Sequence, residues 1–286
     1  MKMAKGLLYL LKCYNDLTPD NFLSIKRSIA GKKGASIRYL KYGNPGTPEG
    51  RIRGGLASIE KQKKAGLPSP FIAQKTRNPE FSEDLAEFIG IILGDGCINK
   101  NQVGISLNSK DDKEYALYIV KLVEKLFKYE PSSKVIRNCV ILILISRVNI
   151  VNFLCTIGMY KGDKVRQQVE VPQWIKDNQN YRKSCVRGLM DTDGCIYVDK
   201  HFIRNKLYKH LGLNFTNRSI PLLNFTKQVM IEQGFHPTIS SPKAVVLRRE
   251  EEIISYMEEI GSSNPKILNK FEVFIQEKAR KSTKEV

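Results

Sequence analysis

Two acidic residues, Asp95 and Asp193, close two copies of one nine-residue pattern. The copies read FIGIILGDG at residues 88–96 and VRGLMDTDG at residues 186–194. Each is an apolar run broken by small residues and ended by an acid and a glycine. If both runs are helices, each acid sits at a C-terminus, the unfavourable end of the helix dipole for a negative charge. Two such acids brought together repel unless a proton or a cation lies between them. Carboxylates, backbone carbonyls such as those of Gly94 and Thr192, and water are the donor set of a hard divalent ion such as Mg2+. The chemistry to look for is therefore that of a bound metal.

The same runs say how the acids would be positioned. Gly90 and Gly94 fall one helical turn apart on one face, as do Gly188 and Thr192. Small residues at that spacing let two helix backbones approach closely. Glycine inside a helix costs about 0.5–1 kcal/mol relative to alanine, so its repeated use implies a packing reason. Gly96 and Gly194 are placed to stop the helices. Ser82 is expected to cap the first helix, with the second motif beginning at Ser184.

The segments beyond the two motifs repeat as well. After Gly96, residues 97–99, a turn at Lys100-Asn101 and residues 103–108 read as a hairpin. Val103, Ile105 and Leu107 alternate there with polar or small residues, as in a half-buried strand. Residues 111–127 read as a helix with a stripe of Tyr115, Ile119, Leu122, Val123 and Leu126. A second hairpin covers residues 135–145; its apolar run 140–145 predicts a strand buried on both faces. A helix at 149–157 ends at Gly158. The second copy repeats this with strands from residue 195 and over 211–216, a helix at 219–233, strands at 238–240 and 244–249, and a helix at 250–260. Its first hairpin is about ten residues longer. Each half is αββαββα, and the chain reads as α+β, a duplicated fold whose two antiparallel sheets form a saddle. The expected organisation is a basic extension at 1–80 and repeats at 81–172 and 173–286.

The net charge of +18 on 286 residues points to a polyanionic partner. Residues 1–84 hold 16 Lys and Arg against 7 Asp and Glu, more basic per residue than the remainder. That segment is read as a nucleic-acid-binding extension. It has a short helix at 3–15, a helix-turn-helix-like unit near 18–42 with a turn at 30–34, a Gly/Pro-rich loop at 42–55 and a helix at 56–64. A basic, partly disordered arm is the competing reading. The six cysteines form no CxxC pair, and His201, His210 and His236 match no zinc spacing. Cys97 and Cys195, each two residues past a motif acid, are expected to be small buried residues. No apolar stretch reaches membrane-spanning length and no signal peptide is evident. An intracellular location, cytoplasmic or organellar, is expected.

The paired motifs resemble those of the LAGLIDADG homing endonucleases, in the single-chain form with two copies. The resemblance covers residues 81–286. It implies a monomeric, intron-encoded nuclease that hydrolyses both strands of a long double-stranded DNA site across a narrowed minor groove, leaving short 3′ overhangs. It implies two or more Mg2+ ions held by Asp95 and Asp193, with Ca2+ binding without supporting cleavage. At the sixth position Leu93 replaces the usual acid, which Asp191 keeps in the second copy. A basic residue from the loop after the last helix of each half is implied as catalytic. Lys164 and Lys266 fit, with Lys161 an alternative to the first. A polar residue closing each first hairpin is implied too, and Asn108 and Asn217 stand there.

A β-ribbon fits the major groove of DNA. The polar positions of the strands and turns supply the candidate contacts: Asn99, Lys100, Gln102, Ser106, Asn108 and Lys110 in the first half, and Lys200, Arg204, Lys206, Lys209, His210, Asn214, Thr216 and Arg218 in the second. Arg137 and Arg248 join them from the outer hairpins. Arg, Asn and Gln can read bases, whereas Lys mostly follows phosphate. A second class of reading is a non-cleaving binder on the same scaffold, an RNA maturase acting on intron RNA or a DNA-binding regulator. Retention of both motif acids favours the nuclease. The terminal residues are not splice-junction residues, so an intein is not expected.

Overall fold

The structure is a computed structural model describing residues 19–43, 46–66, 76–136, 139–204 and 206–282. The chain divides into two compact units, residues 1–72 and 73–286. The expected helix at 3–15 lies outside the described residues.

Among its described residues the first unit contains two helices, α1 (Pro19–Tyr42) and α2 (Pro48–Lys64). The turn expected at residues 30–34 does not form, and α1 runs through it. Gly31 and Gly34 meet nothing within 4 Å. They weaken the helix without forcing a bend, because the helix formers around them outweigh two glycines. The loop expected at 42–55 is also shorter. Thr47 accepts a hydrogen bond from Gly50 N at 3.1 Å, Pro48 occupies the first turn and Glu49 complements the dipole. A strong N-terminal signal thus overrides the glycines at 50, 54 and 55. The first helix continues to Tyr42 and the second begins at Pro48, so the pair expected within 18–42 is instead one helix.

The second unit carries the duplication. Its first repeat runs α3 (Glu83–Asp95), β1 (Gly96–Ile98), β2 (Val103–Asn108), α4 (Lys113–Phe127), β3 (Ser132–Ile136), β4 (Val140–Ile145), α5 (Val148–Thr156) and the one-turn α6 (Lys164–Gln167). A short α7 (Gln173–Lys176) leads to the second: α8 (Gln179–Asp193), β5 (Gly194–Ile203), β6 (Lys206–Thr216), α9 (Ile220–Glu232), β7 (Thr238–Ser241), β8 (Ala244–Leu247), α10 (Glu250–Glu259) and α11 (Pro265–Ser282). The two four-stranded antiparallel sheets have matching strand orders, β1-β2-β4-β3 and β5-β6-β8-β7. The fold is α+β and pseudo-symmetric, as the repeat predicts.

One face of each sheet packs on helices. Ile98, Val103, Ile105 and Leu107 turn inward with Ile141, Ile143 and Ile145 against the expected stripe of α4. Strand β4 is not buried on both faces. It alternates, with Ile141, Ile143 and Ile145 buried and Val140, Leu142 and Leu144 half-buried, because only one face of the sheet has helices over it. Helix α8 begins before Ser184, capped by Asn178, whose Oδ1 accepts from Asn180 N at 2.9 Å and Tyr181 N at 3.1 Å. Helix α11 was not anticipated, although Ile267, Phe271, Phe274 and Ile275 carry its period and pack on the core. Among the described residues no helix is long and apolar enough to cross a membrane.

Candidate active site

Helices α3 and α8 make the most extensive helix contact in the fold. Ser82 caps α3 as expected, accepting from Leu85 N at 3.3 Å. The motif glycines explain how close the helices come. A Cβ on Gly90 would lie 2.2 Å from the Cys185 carbonyl oxygen, and one on Gly188 2.3 Å from that of Glu87. At Gly94 it would strike Thr192 Oγ1 at 2.0 Å. The terminal glycines act differently from left-handed caps. Gly96 and Gly194 have φ of −87° and −100°, open to any residue, yet a Cβ there would lie 2.6 Å from Ile92 Cα and 2.5 Å from the Met190 carbonyl. They are required by the sharp step from helix to strand.

That step leaves Asp95 and Asp193 at adjoining helix ends with no basic residue in either last turn. Burial pushes the Asp95 carboxyl up to about 7, the Asp193 charge adds to this, and Asp112 adds more; Lys164 and Lys266 act in the opposite sense. Burial also raises Asp193, against the pull of Lys164 and a hydrogen bond from Asn217. That bond, Asn217 Nδ2 to Asp193 Oδ2, is 2.7 Å.

The two expected lysines both reach the site. Lys164 Nζ donates to the carbonyls of Ile92 at 3.1 Å and Leu93 at 2.9 Å, and to that of Gly94. Burial lowers its pKa, while Asp193 and Asp95 oppose the shift. Its loop is pinned by Gly162 N on Ile98 O at 3.0 Å and by the cap Asp163 on Val165 N at 3.0 Å. Lys266 Nζ lies 3.6 Å from Asp112 Oδ1 and 3.8 Å from Asp111 Oδ2. Its loop hangs on Asp191, the extra acid of the second motif. Asp191 accepts from Ser262 Oγ and, at 2.8 Å, from Ser263 N, while its carbonyl takes Asn264 Nδ2 at 3.0 Å. Leu93, the residue at that position in the first motif, is buried in the core, and there Lys164 itself makes the link.

Two compartments result, and they cross the halves. Asp193 of the second repeat shares one with Lys164 of the first; Asp95 of the first shares the other with Lys266 of the second. The donor set fits a hard divalent cation. It comprises two carboxylates raised by burial and carbonyls at a negative helix end, where an ammonium already rests on three of them. Among the described residues no group of three His, Cys, Asp or Glu side chains gathers. Further ligands would be carbonyls, water or substrate oxygens. Gly94 O is already engaged by Lys164; Thr192 turns its hydroxyl back onto the Gly188 and Leu189 carbonyls, both at 3.0 Å.

The polar residue at the hairpin end differs from expectation in the first half. Gly96 pairs with Ile105 and Gly194 with Phe215, so two residues further on it is Leu107, not Asn108, that matches Asn217, and Leu107 lines the Asp95 compartment as Asn217 lines that of Asp193. Asn108 instead accepts from Lys110 N at 2.9 Å. Strand β2 runs one residue past Leu107, to Asn108, whereas β6 stops one residue before Asn217, at Thr216, a shift that spacing from the motif does not show. Cys97 and Cys195 are exposed, not buried. The strands start at the glycine before each, so alternation turns Ile98 and Ile196 inward and the cysteines outward.

The remaining contact candidates divide. Ser106, Asn108, Asn214, Thr216 and His210 lie on the uncovered sheet faces; Asn99, Lys100, Gln102 and Arg204 lie at the hairpin turns, and Lys110, Arg218 and Arg248 at strand ends. Lys206 belongs to β6, and Arg137 lies outside the described residues. Lys200 and Lys209 face the other way, lining a groove against α11, where Lys209 pairs with Glu277. They pair across β5 and β6 on the side of Ile196 and Val198. The sequence reading missed Tyr197 and Tyr208 on the uncovered side, where His201 stacks on His210 at 5.0 Å and on Tyr208 at 5.9 Å. The available signal was period-two spacing within each strand, Tyr208 with His210 and Tyr197 with His201.

No family model and no curated protein matches the sequence. Among solved structures the chain is similar to the I-LtrWI LAGLIDADG homing endonuclease bound to target DNA, with 14% identity over 70% of this chain and 91% of that one and a TM-score of 0.48. It is similar to I-SmaMI bound to uncleaved DNA target in the presence of calcium ions, with 12% identity over 70% and 93% and a TM-score of 0.48. It is also similar to variants of the homing endonuclease I-DmoI, with 15% identity over 64% and 97% and a TM-score of 0.41. Several LAGLIDADG homing endonucleases are thus among the solved structures this chain is similar to, all at low sequence identity.

Proposed function

We propose that this protein is a site-specific, metal-dependent endonuclease that cuts both strands of DNA and acts as a monomer. The observation that carries the reading is the crossed pair of compartments, each joining a motif carboxylate to a lysine from the opposite repeat. Two centres at one pseudo-twofold interface, one from each crossing of the repeats, suit two antiparallel strands. Asp95 and Asp193 hold the metal, taken to be Mg2+. Bound there, it supplies the charge that activates water and stabilises the leaving oxygen. Asn217 orients Asp193, and Lys164 and Lys266 offer positive charge to the scissile phosphates. The uncovered sheet faces supply the groove contacts, with the longer β5–β6 ribbon spanning more base pairs than β1–β2. Short 3′ overhangs and an intron-encoded origin complete the proposal. The basic helices α1 and α2 extend the contact along nucleic acid.

The test is cleavage of a pooled DNA-site library that includes the sequence flanking the gene, joined without the insert. It is run with Mg2+ and with Ca2+, for the wild type and for the Asp95→Asn, Asp193→Asn double variant. Mg2+-dependent cutting at one long site, lost in the double variant while Ca2+-supported binding persists, is the expected result. Binding without cutting in every condition would replace the nuclease with a regulator, or with a maturase if RNA competes better.

A further inference from the structure

The two compartments are unequal. The one holding Asp193 is lined by a single acid and by three bases, Lys164, Arg218 and Lys243. The one holding Asp95 is lined by three acids, Asp95, Asp112 and Asp191, against Lys266 and Lys270. The difference begins at one position. Asp112 is the N-cap residue of α4, and its counterpart at the N-cap of α9 is Ser219. Ser219 Oγ turns away to the Val169 carbonyl at 2.8 Å. Asp112 instead accepts weakly from Asn108 N at 3.3 Å and faces Lys266 Nζ at 3.6 Å. Among the described residues Lys164 forms no ion pair; its ammonium rests on neutral carbonyls.

From this we propose that Asp112 is a positioning residue that holds Lys266 in an ion pair, so that the Asp95 centre acts more slowly and the two strands are cut in order. The inference rests on the nuclease reading. A lysine engaged by Asp112 and Asp111 has its charge neutralised and must leave them to meet a phosphate. The extra carboxylates also repel that phosphate, which the three bases around Asp193 attract. The first cut therefore falls at the Asp193 centre, and a nicked duplex accumulates.

The experiment follows a supercoiled plasmid carrying the target site through open circle to linear DNA in Mg2+. In the wild type, open circle builds up because the second step is the slower. In Asp112→Asn, which keeps an N-cap residue, the second rate rises about two- to fivefold, the range expected for release of a partly exposed ion pair. The first rate and Ca2+-supported binding stay unchanged. A metal-free readout accompanies it. Acetylation of Lys266, followed by mass spectrometry, speeds up in the variant relative to Lys270, which global loosening of the fold would not produce. Linear DNA without an open-circle stage, an unchanged or lower second rate in the variant, or unchanged Lys266 labelling overturns the proposal while leaving the nuclease reading intact. A wild type that cuts neither strand removes the nuclease reading, and strand order with it.

Discussion

At the residue scale, the site works by placing charge where the fold opposes it. Asp95 sits at a negative helix end, half-buried, beside a second carboxylate. Its folded-state pKa of about 7 against an ordinary 3.8 means that the folded chain holds a proton the unfolded chain releases. The stability linked to this group is fully present below about pH 4 and is lost as pH rises through about 7. In metal-free protein, the stability advantage of Asp95→Asn over the wild type should therefore widen from pH 5 to pH 8 in denaturant titrations. Added Ca2+ should stabilise the wild type more at pH 8 than at pH 5. A difference flat with pH would mean that Asp95 is not strained. Asn217 gives a second test. Removing a hydrogen bond to a charged group costs about 1.5–3 kcal/mol. Asn217→Ala should thus slow cleavage by about tenfold or more with little change in Ca2+-supported DNA binding. Equal loss of both would recast Asn217 as a folding residue.

At the element scale, everything depends on two helices packed with backbone nearly touching backbone. Gly188 is a direct test, because its missing Cβ faces the Glu87 carbonyl and lies 2.9 Å from Ile91 N, both backbone atoms of the facing helix. Neither atom can yield without moving α3. Gly188→Ala should cost about 1–3 kcal/mol, the usual penalty for overpacking, and reduce cleavage as the carboxylates separate. Thermal unfolding and cleavage of the same preparation measure both effects; an unchanged Tm would show that the contact is looser than described. A buried polar network braces the same helix pair. Glu87 accepts from Tyr118 Oη at 2.6 Å and from Arg187 Nε at 2.9 Å, and Arg187 also donates to the Ile260 carbonyl at 3.3 Å. It ties α3 and α8 to α4 and to the end of α10, the element before the Lys266 loop.

At the scale of the whole molecule, the charge of +18 is the dominant property. Contacts to phosphate release counterions, so affinity falls with salt in proportion to their number. Replacing Lys32, Lys33 and Arg38 of α1 with Gln should weaken DNA binding about equally across sequences and lower the salt slope by up to about three. The ratio of specific to non-specific affinity should hold. A slope unchanged from wild type would place α1 off the nucleic acid.

Much of this was legible in order along the chain. The repeat of FIGIILGDG and VRGLMDTDG, the glycine spacing, the paired hairpins and the longer ribbon of the second half all come from local periodicity, which depends only on which residues alternate or recur. The two acids lie at a fixed place in the repeated unit, whereas the two lysines were named only because the family resemblance implies a basic residue in the matching loops. Tertiary structure decided what no local pattern encodes. It set which lysine meets which acid, because the halves cross at the α3–α8 contact. It made Leu107 the counterpart of Asn217, because the place where each strand ends relative to its motif is visible only through pairing with the neighbouring strands. It turned Lys200 and Lys209 away from the open face, because α11 covers that side. And it placed Asp112 beside Lys266, residues distant in sequence and brought together only by the packing of two repeats.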